Sequence, residues 1–82
     1  MARVVRLTQA ALRGDIMSWT ALVSNGGEIK HRRVHFYAQD WEYLVSRESL
    51  QVAHDRLQKA VERRVMSSPE TSFRVDLADL EA

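Results

Sequence analysis

Apolar and polar positions change their period along this chain, and each change marks an element. From Ile16 to Val23 the period is two: Met17, Trp19, Ala21 and Val23 share one face, Ser18, Thr20 and Ser24 the other, with Leu22 the exception. That alternation predicts a strand. The following Ser24-Asn25-Gly26-Gly27 tolerates the positive φ that tight turns demand, so Lys30 to Tyr37 is expected to return as the second strand of a β-hairpin around Asn25–Gly27. After a short turn at Ala38-Gln39-Asp40, Trp41-Glu42-Tyr43-Leu44-Val45 alternates again and suits a third antiparallel strand.

From Ser46, a good N-cap, the period lengthens. Leu50, Ala53, Leu57, Ala60 and Val61 form a helical stripe, with Asp55 and Lys59 a favourable i, i+4 pair and Arg63 and Arg64 at the negative end of the helix dipole. This predicts one long C-terminal helix over about 46–66, ended by Ser67-Ser68-Pro69. Phe73, Val75 and Leu77 alternate, so a fourth strand is expected before the acidic end Asp79-Leu80-Glu81-Ala82. At the other terminus Arg3 to Leu7 suits a short strand. Thr8 to Gly14 suits a short N-terminal helix, with Thr8 as N-cap and Gly14 just past its end. A helix from Thr8 to Val23 is the rival, since Leu12, Ile16, Trp19 and Val23 are helically spaced, but Gly14 inside it costs about 1 kcal/mol. The expected fold is a single α+β domain over residues 1–82: a small antiparallel sheet of three or four strands packed on one long helix.

Register decides where the basic run Lys30-His31-Arg32-Arg33-Val34-His35-Phe36-Tyr37 points. An even-numbered turn puts Val34 and Phe36 on the face of Met17 and Trp19, and burying such side chains is worth about 1.5–3 kcal/mol each, so the even register is expected. His31, Arg33, His35 and Tyr37 then share the opposite face with Ser18 and Thr20. Lys30 and Arg32 fall on the core side near the turn, where their stems reach past the sheet end to water.

Size and charge narrow the function. A chain of 82 residues buries only roughly 60 % of its unfolded surface, so a second copy adds useful burial and a homodimer is expected. The absence of cysteine removes disulfides, thiolate chemistry and Cys-based zinc sites together. No signal peptide or apolar membrane span can be drawn, which makes the cytoplasm the default compartment. The net charge of +1 conceals an asymmetry: residues 1–37 hold six basic against two acidic groups, residues 38–82 six basic against nine acidic. Opposite fields of this kind suit contact between faces, within the fold or between subunits.

No constellation of side chains specifies a reaction, a cofactor or a metal. His31 and His35 at i, i+4 bind one ion only on a helix, and along a strand they stand roughly 13 Å apart. His54 and Asp55 are adjacent on a helix and diverge. A metal-independent ribonuclease with His35 or His31 as base and Arg33 as phosphate clamp is the remote enzymatic reading. Lys30, His31, Arg32, Arg33, His35 and Tyr37 form a cationic candidate binding face with hydroxyls beside it, and Trp41 with Tyr43 a candidate aromatic contact.

The order helix, three-stranded meander, long helix is similar to that of double-stranded-RNA-binding domains, and a sheet followed by a helix resembles some sheet-type DNA readers. The likeness is of arrangement. Where the RNA-binding family starts its second helix with lysines, this chain has Ser46-Arg47-Glu48-Ser49, and no functional residue is carried over. The expectation is a small, self-associating interaction module without catalytic activity that docks on a larger protein or assembly as adaptor, regulator or inhibitor. The alternative is a nucleic-acid-binding regulator using the basic hairpin face.

Overall fold

Two glycine turns fold the first 37 residues into an antiparallel meander of β1 (Ala2–Arg13), β2 (Ile16–Asn25) and β3 (Glu28–Tyr37), as seen in a computed structural model that describes residues 2–81. Asn25 pairs with Glu28 across Gly26-Gly27, and both glycines take positive φ (62° and 86°), as the tightest hairpin turn requires. The turn is even, so Met17 faces Phe36 and Trp19 faces Val34, and all four are buried. Nothing lies within 4 Å of a methyl group built on Gly27. A side chain there meets only backbone strain, and Gly27→Val is expected to lower stability by about 1–2 kcal/mol in urea denaturation, with Gly27→Asn costing less.

The meander leads into α1 (Ala38–Arg47), α2 (Leu50–Ser67), a short β4 (Ser72–Arg74) and a single helical turn, α3 (Leu77–Leu80). Sheet order is β1-β2-β3-β4, with β4 parallel to β3. The sheet is therefore mixed and not purely antiparallel. The direction follows from connectivity: α1 and α2 together form a crossover long enough to bring the chain back to the same end of the sheet. The long helix is central in the chain, not C-terminal, and Leu77 opens α3 where a strand was expected.

Two further expectations are corrected. Thr8 to Gly14 is no helix. It belongs to β1, and Gly14 (φ 61°) is the first residue of the two-residue turn Gly14-Asp15 that joins Arg13 to Ile16. Register shifts between Val4 and Arg6 and between Gln9 and Ala11 insert one extra residue each, so the core side of β1 reads Ala2, Val4, Leu7, Gln9, Leu12. That spacing breaks the strand period of two, while Thr8 and Gly14 offer the cap residues of a short helix. Pairing along the whole of β2 outweighs an isolated helix of one or two turns, which is marginal in water. Trp41 to Val45 is likewise no strand: Ala38, Trp41 and Val45 line one side of α1 together with Leu44. Ser46 donates to the Tyr43 carbonyl instead of capping, and Ser49 is the N-cap, accepting from Val52 N–H at 3.2 Å. Because the chain starts with a strand and α1 replaces the third strand of the expected meander, the order that resembled double-stranded-RNA-binding domains is not the one observed.

All the helices cover one face of the sheet. Ala53, Leu57, Ala60 and Val61 of α2 pack on Val4, Leu7, Val23 and their neighbours in one continuous core. A polar stripe at i, i+4, i+8 on α2 then caps the outer edge of β1. Glu62 Oε2 accepts from Val4 N–H (2.8 Å), Gln58 Nε2 donates to the Val4 carbonyl (3.4 Å), and His54 Nε2 lies 3.2 Å from the Leu7 carbonyl. Over Val4 to Leu7 the edge is engaged in this way and cannot template another strand. No helix among the described residues is long and apolar enough to cross a membrane.

Candidate nucleic-acid interface

The face of the sheet turned away from the helices is built by the alternate residues of four strands. Cross-strand partners share a side, so the pairings arrange this face in rungs. One runs Arg6–Leu22–His31, the next Thr8–Thr20–Arg33–Ser72, and a third Ala11–Ser18–His35–Arg74. Arg3–Ser24–Ile29 and Arg13–Ile16–Tyr37 close the two ends. Five arginines and two histidines stand on these rungs and not one carboxylate. Glu28, at the start of β3, pairs with Asn25 on the helix side, and every other Asp and Glu lies in a turn or link, on a helix or after α2.

Relief matters as much as charge. The central strand β2 contributes mostly short residues, Ser18, Thr20 and Ser24, while arginines rise from β1 on one side and Arg33 from β3 on the other. With about 4.8 Å between strands, the basic rims stand roughly 10 Å apart over a hydroxyl-lined floor. Where β4 begins, Thr20, His31, Arg33, Thr71 and Ser72 border a shallow concavity of about 330 Å³.

His35 holds the middle of the face. Its Nδ1 is 2.9 Å from Ser18 Oγ and its Nε2 2.9 Å from Ser72 Oγ, so both ring nitrogens are engaged and the imidazole ties β4 to β2 across β3. Arg74 donates to Tyr37 Oη (3.0 Å), lies 5.3 Å over the same ring and is ion-paired with Asp76 at 3.1 Å. Tyr37 is thereby occupied by a guanidinium on this face. Arg3, Arg6, Arg13 and Arg33 form no ion pair among the described residues.

The basic residues singled out in the sequence divide by parity. His31, Arg33, His35 and Tyr37 lie together on the open face. Lys30 and Arg32 point to the helix side, beside Val65, Met66 and Pro69, and Arg32 Nη1 donates to the His31 carbonyl at 2.9 Å. Trp41 and Tyr43 do not share a face: on a helix they diverge, and Trp41 is 9 % exposed in the core while Tyr43 is 48 % exposed beneath the Arg47 guanidinium. Sequence reasoning missed Arg3, Arg6, Arg13 and Arg74. The signal for the β1 residues was Gly14-Asp15, a hairpin turn pair that also satisfies the rule for a helix end. Comparison with protein-family models, with characterised proteins and with solved structures finds no match, so what this face does is argued from its own geometry.

Proposed function

We propose that this chain is a small nucleic-acid-binding module that holds single-stranded nucleic acid along β2 on the open face of the sheet. The observation that carries the reading is the segregation of charge: on the one sheet face that no helix covers the strands contribute five arginines and no carboxylate, and only Arg74 is paired, with Asp76 beyond the end of β4. Free guanidinium groups bind phosphate through forked, charge-assisted hydrogen bonds, and serine and threonine hydroxyls add neutral donors to the same oxygens. A trough roughly 10 Å wide suits one sugar–phosphate chain, whereas a duplex is about twice that width and is read by elements that enter a groove. With its one aromatic ring already under Arg74, the face offers little base stacking. Binding is therefore mainly to the backbone, indifferent to sequence and strongly dependent on salt.

Fluorescence anisotropy of a labelled single-stranded oligonucleotide tests this. About four phosphate contacts give a slope of log K against log salt near −3. No anisotropy change at about 50 mM salt, or binding that salt does not weaken, overturns the reading. The other expected role, docking on a protein, is favoured by a different surface: the uncapped end of β1.

A further inference from the structure

We infer that the chain forms a two-fold homodimer by pairing the open end of β1, Gln9 to Leu12, antiparallel with the same segment of a second copy. Pairing with β2 leaves alternate backbone groups of β1 facing outward. Val4 and Leu7 mark that series, because their outward groups meet Glu62, Gln58 and His54 of α2. The next outward positions are Gln9, before the second register shift, and Leu12, after it, and no group among the described residues engages their outward N–H and C=O. The helix caps one half of this edge and leaves the other half free to accept a strand.

The side chains beside the free half are self-complementary. Leu12 is 59 % exposed although it lies on the helix side of the sheet, opposite Met17. Next to it opens a cleft of about 540 Å³ lined by Gln9, Trp19, Trp41, Leu50, Gln51 and His54, and Leu50 on its rim is 61 % exposed. An axis between Ala10 and Ala11 sets Leu12 of each copy opposite Gln9 of the other, at the mouth of the other's cleft. The same axis sets Arg6 opposite Asp15, and both residues are exposed and outside any ion pair among the described residues. Strand edge, apolar knob, cleft and opposite charges all belong to one surface and lie symmetrically about one axis, which is the requirement for an isologous interface. A second copy of this chain is therefore the occupant. Pairing across the edge joins two sheets of four strands with their helices on one side and their arginine faces on the other.

The paired segment is short, so the dimer is in exchange with monomer over micromolar concentrations. Sedimentation velocity is expected to show the mass rising with concentration from that of the 9.5 kDa chain toward twice that value. Leu12→Lys, at an exposed position, should hold the protein monomeric with an unchanged circular dichroism spectrum. Arg6→Asp and Asp15→Arg should each weaken the dimer about tenfold, and the double variant should restore it. A protein that stays monomeric throughout the range, or a dimer that Leu12→Lys leaves intact, overturns the inference. Oligonucleotide binding is read separately by anisotropy, so its failure is not confused with failure to dimerise.

Discussion

Trp19→Ala is expected to remove about 3–5 kcal/mol of stability, enough to leave much of the population unfolded at room temperature. Trp19 is 2 % exposed and sits where three rings meet edge to face. Its centroid is 5.1 Å from that of Trp41 at 66° and 6.5 Å from that of Phe36 at 79°, and Phe36 and Trp41 are 6.2 Å apart at 86°. Each such pair is worth about 0.5–1.5 kcal/mol beyond the area it buries, because the positive ring edge of one residue meets the negative face of the next. The three rings come from β2, β3 and α1, so truncating one loosens the seating of α1 on the sheet as well as leaving a cavity. Urea denaturation followed by circular dichroism measures the loss. Tyr43→Ala, on the outer side of α1, is expected to stay within about 0.5 kcal/mol of the parent. A loss below about 1 kcal/mol for Trp19→Ala would show that the ring cluster does not hold α1 to the sheet.

The second large effect is on binding. Replacing Arg6, Arg13 and Arg33 together by alanine is expected to weaken single-stranded oligonucleotide affinity about tenfold to a hundredfold at low salt, and to flatten the log–log salt slope by about 2. These three stand on different rungs of β1 and β3, on both rims of the trough, and none of them packs in the core. The matched control is Arg47, Arg56 and Lys59 replaced by alanine on the helix side. It removes the same net charge, and it is expected to change affinity by less than about threefold, since screening over about 10 Å limits the reach of charges on the far side of the molecule. Equal losses in the two triple variants would mean that net charge attracts the oligonucleotide and that the sheet face has no special part in it.

Much of this architecture was legible because local and global preferences agree. In β2 the alternation is unbroken by any register shift, the Gly-Gly turn admits one geometry, and the stripe from Ala53 to Val61 has no competing period, so hairpin, register and long helix follow from pattern alone. Legibility ended where two readings fit the same residues. In β1 the two inserted residues broke the alternation, and Thr8 and Gly14 fit the caps of a short helix as well as a strand and its turn. In α1, Trp41, Tyr43 and Val45 alternate like a strand, while Ala38, Trp41 and Val45 repeat like a helix. Only the packing of Trp41 against Trp19 and Phe36 decides between them. The direction of β4 depends on how long the preceding crossover is, which the three residues of the strand do not encode. The candidate face was half legible for the same reason: its β3 half follows from the hairpin, and its β1 half required knowing that β1 is a strand.

The cap on the edge of β1 has a consequence in time. Glu62, Gln58 and His54 are made some fifty residues after the strand they protect. The meander contains only neighbouring pairings and is complete at Tyr37, so during synthesis three paired strands precede the helices that cap part of the β1 edge and cover Trp19, Val34 and Phe36. In that interval the nascent chain presents an open edge and a bare apolar surface at once. In the mature fold α2 caps the Val4–Leu7 part of that edge and α1, through Trp41, covers Trp19 and Phe36, so the chain stays exposed to its neighbours on the ribosome until both helices have been made.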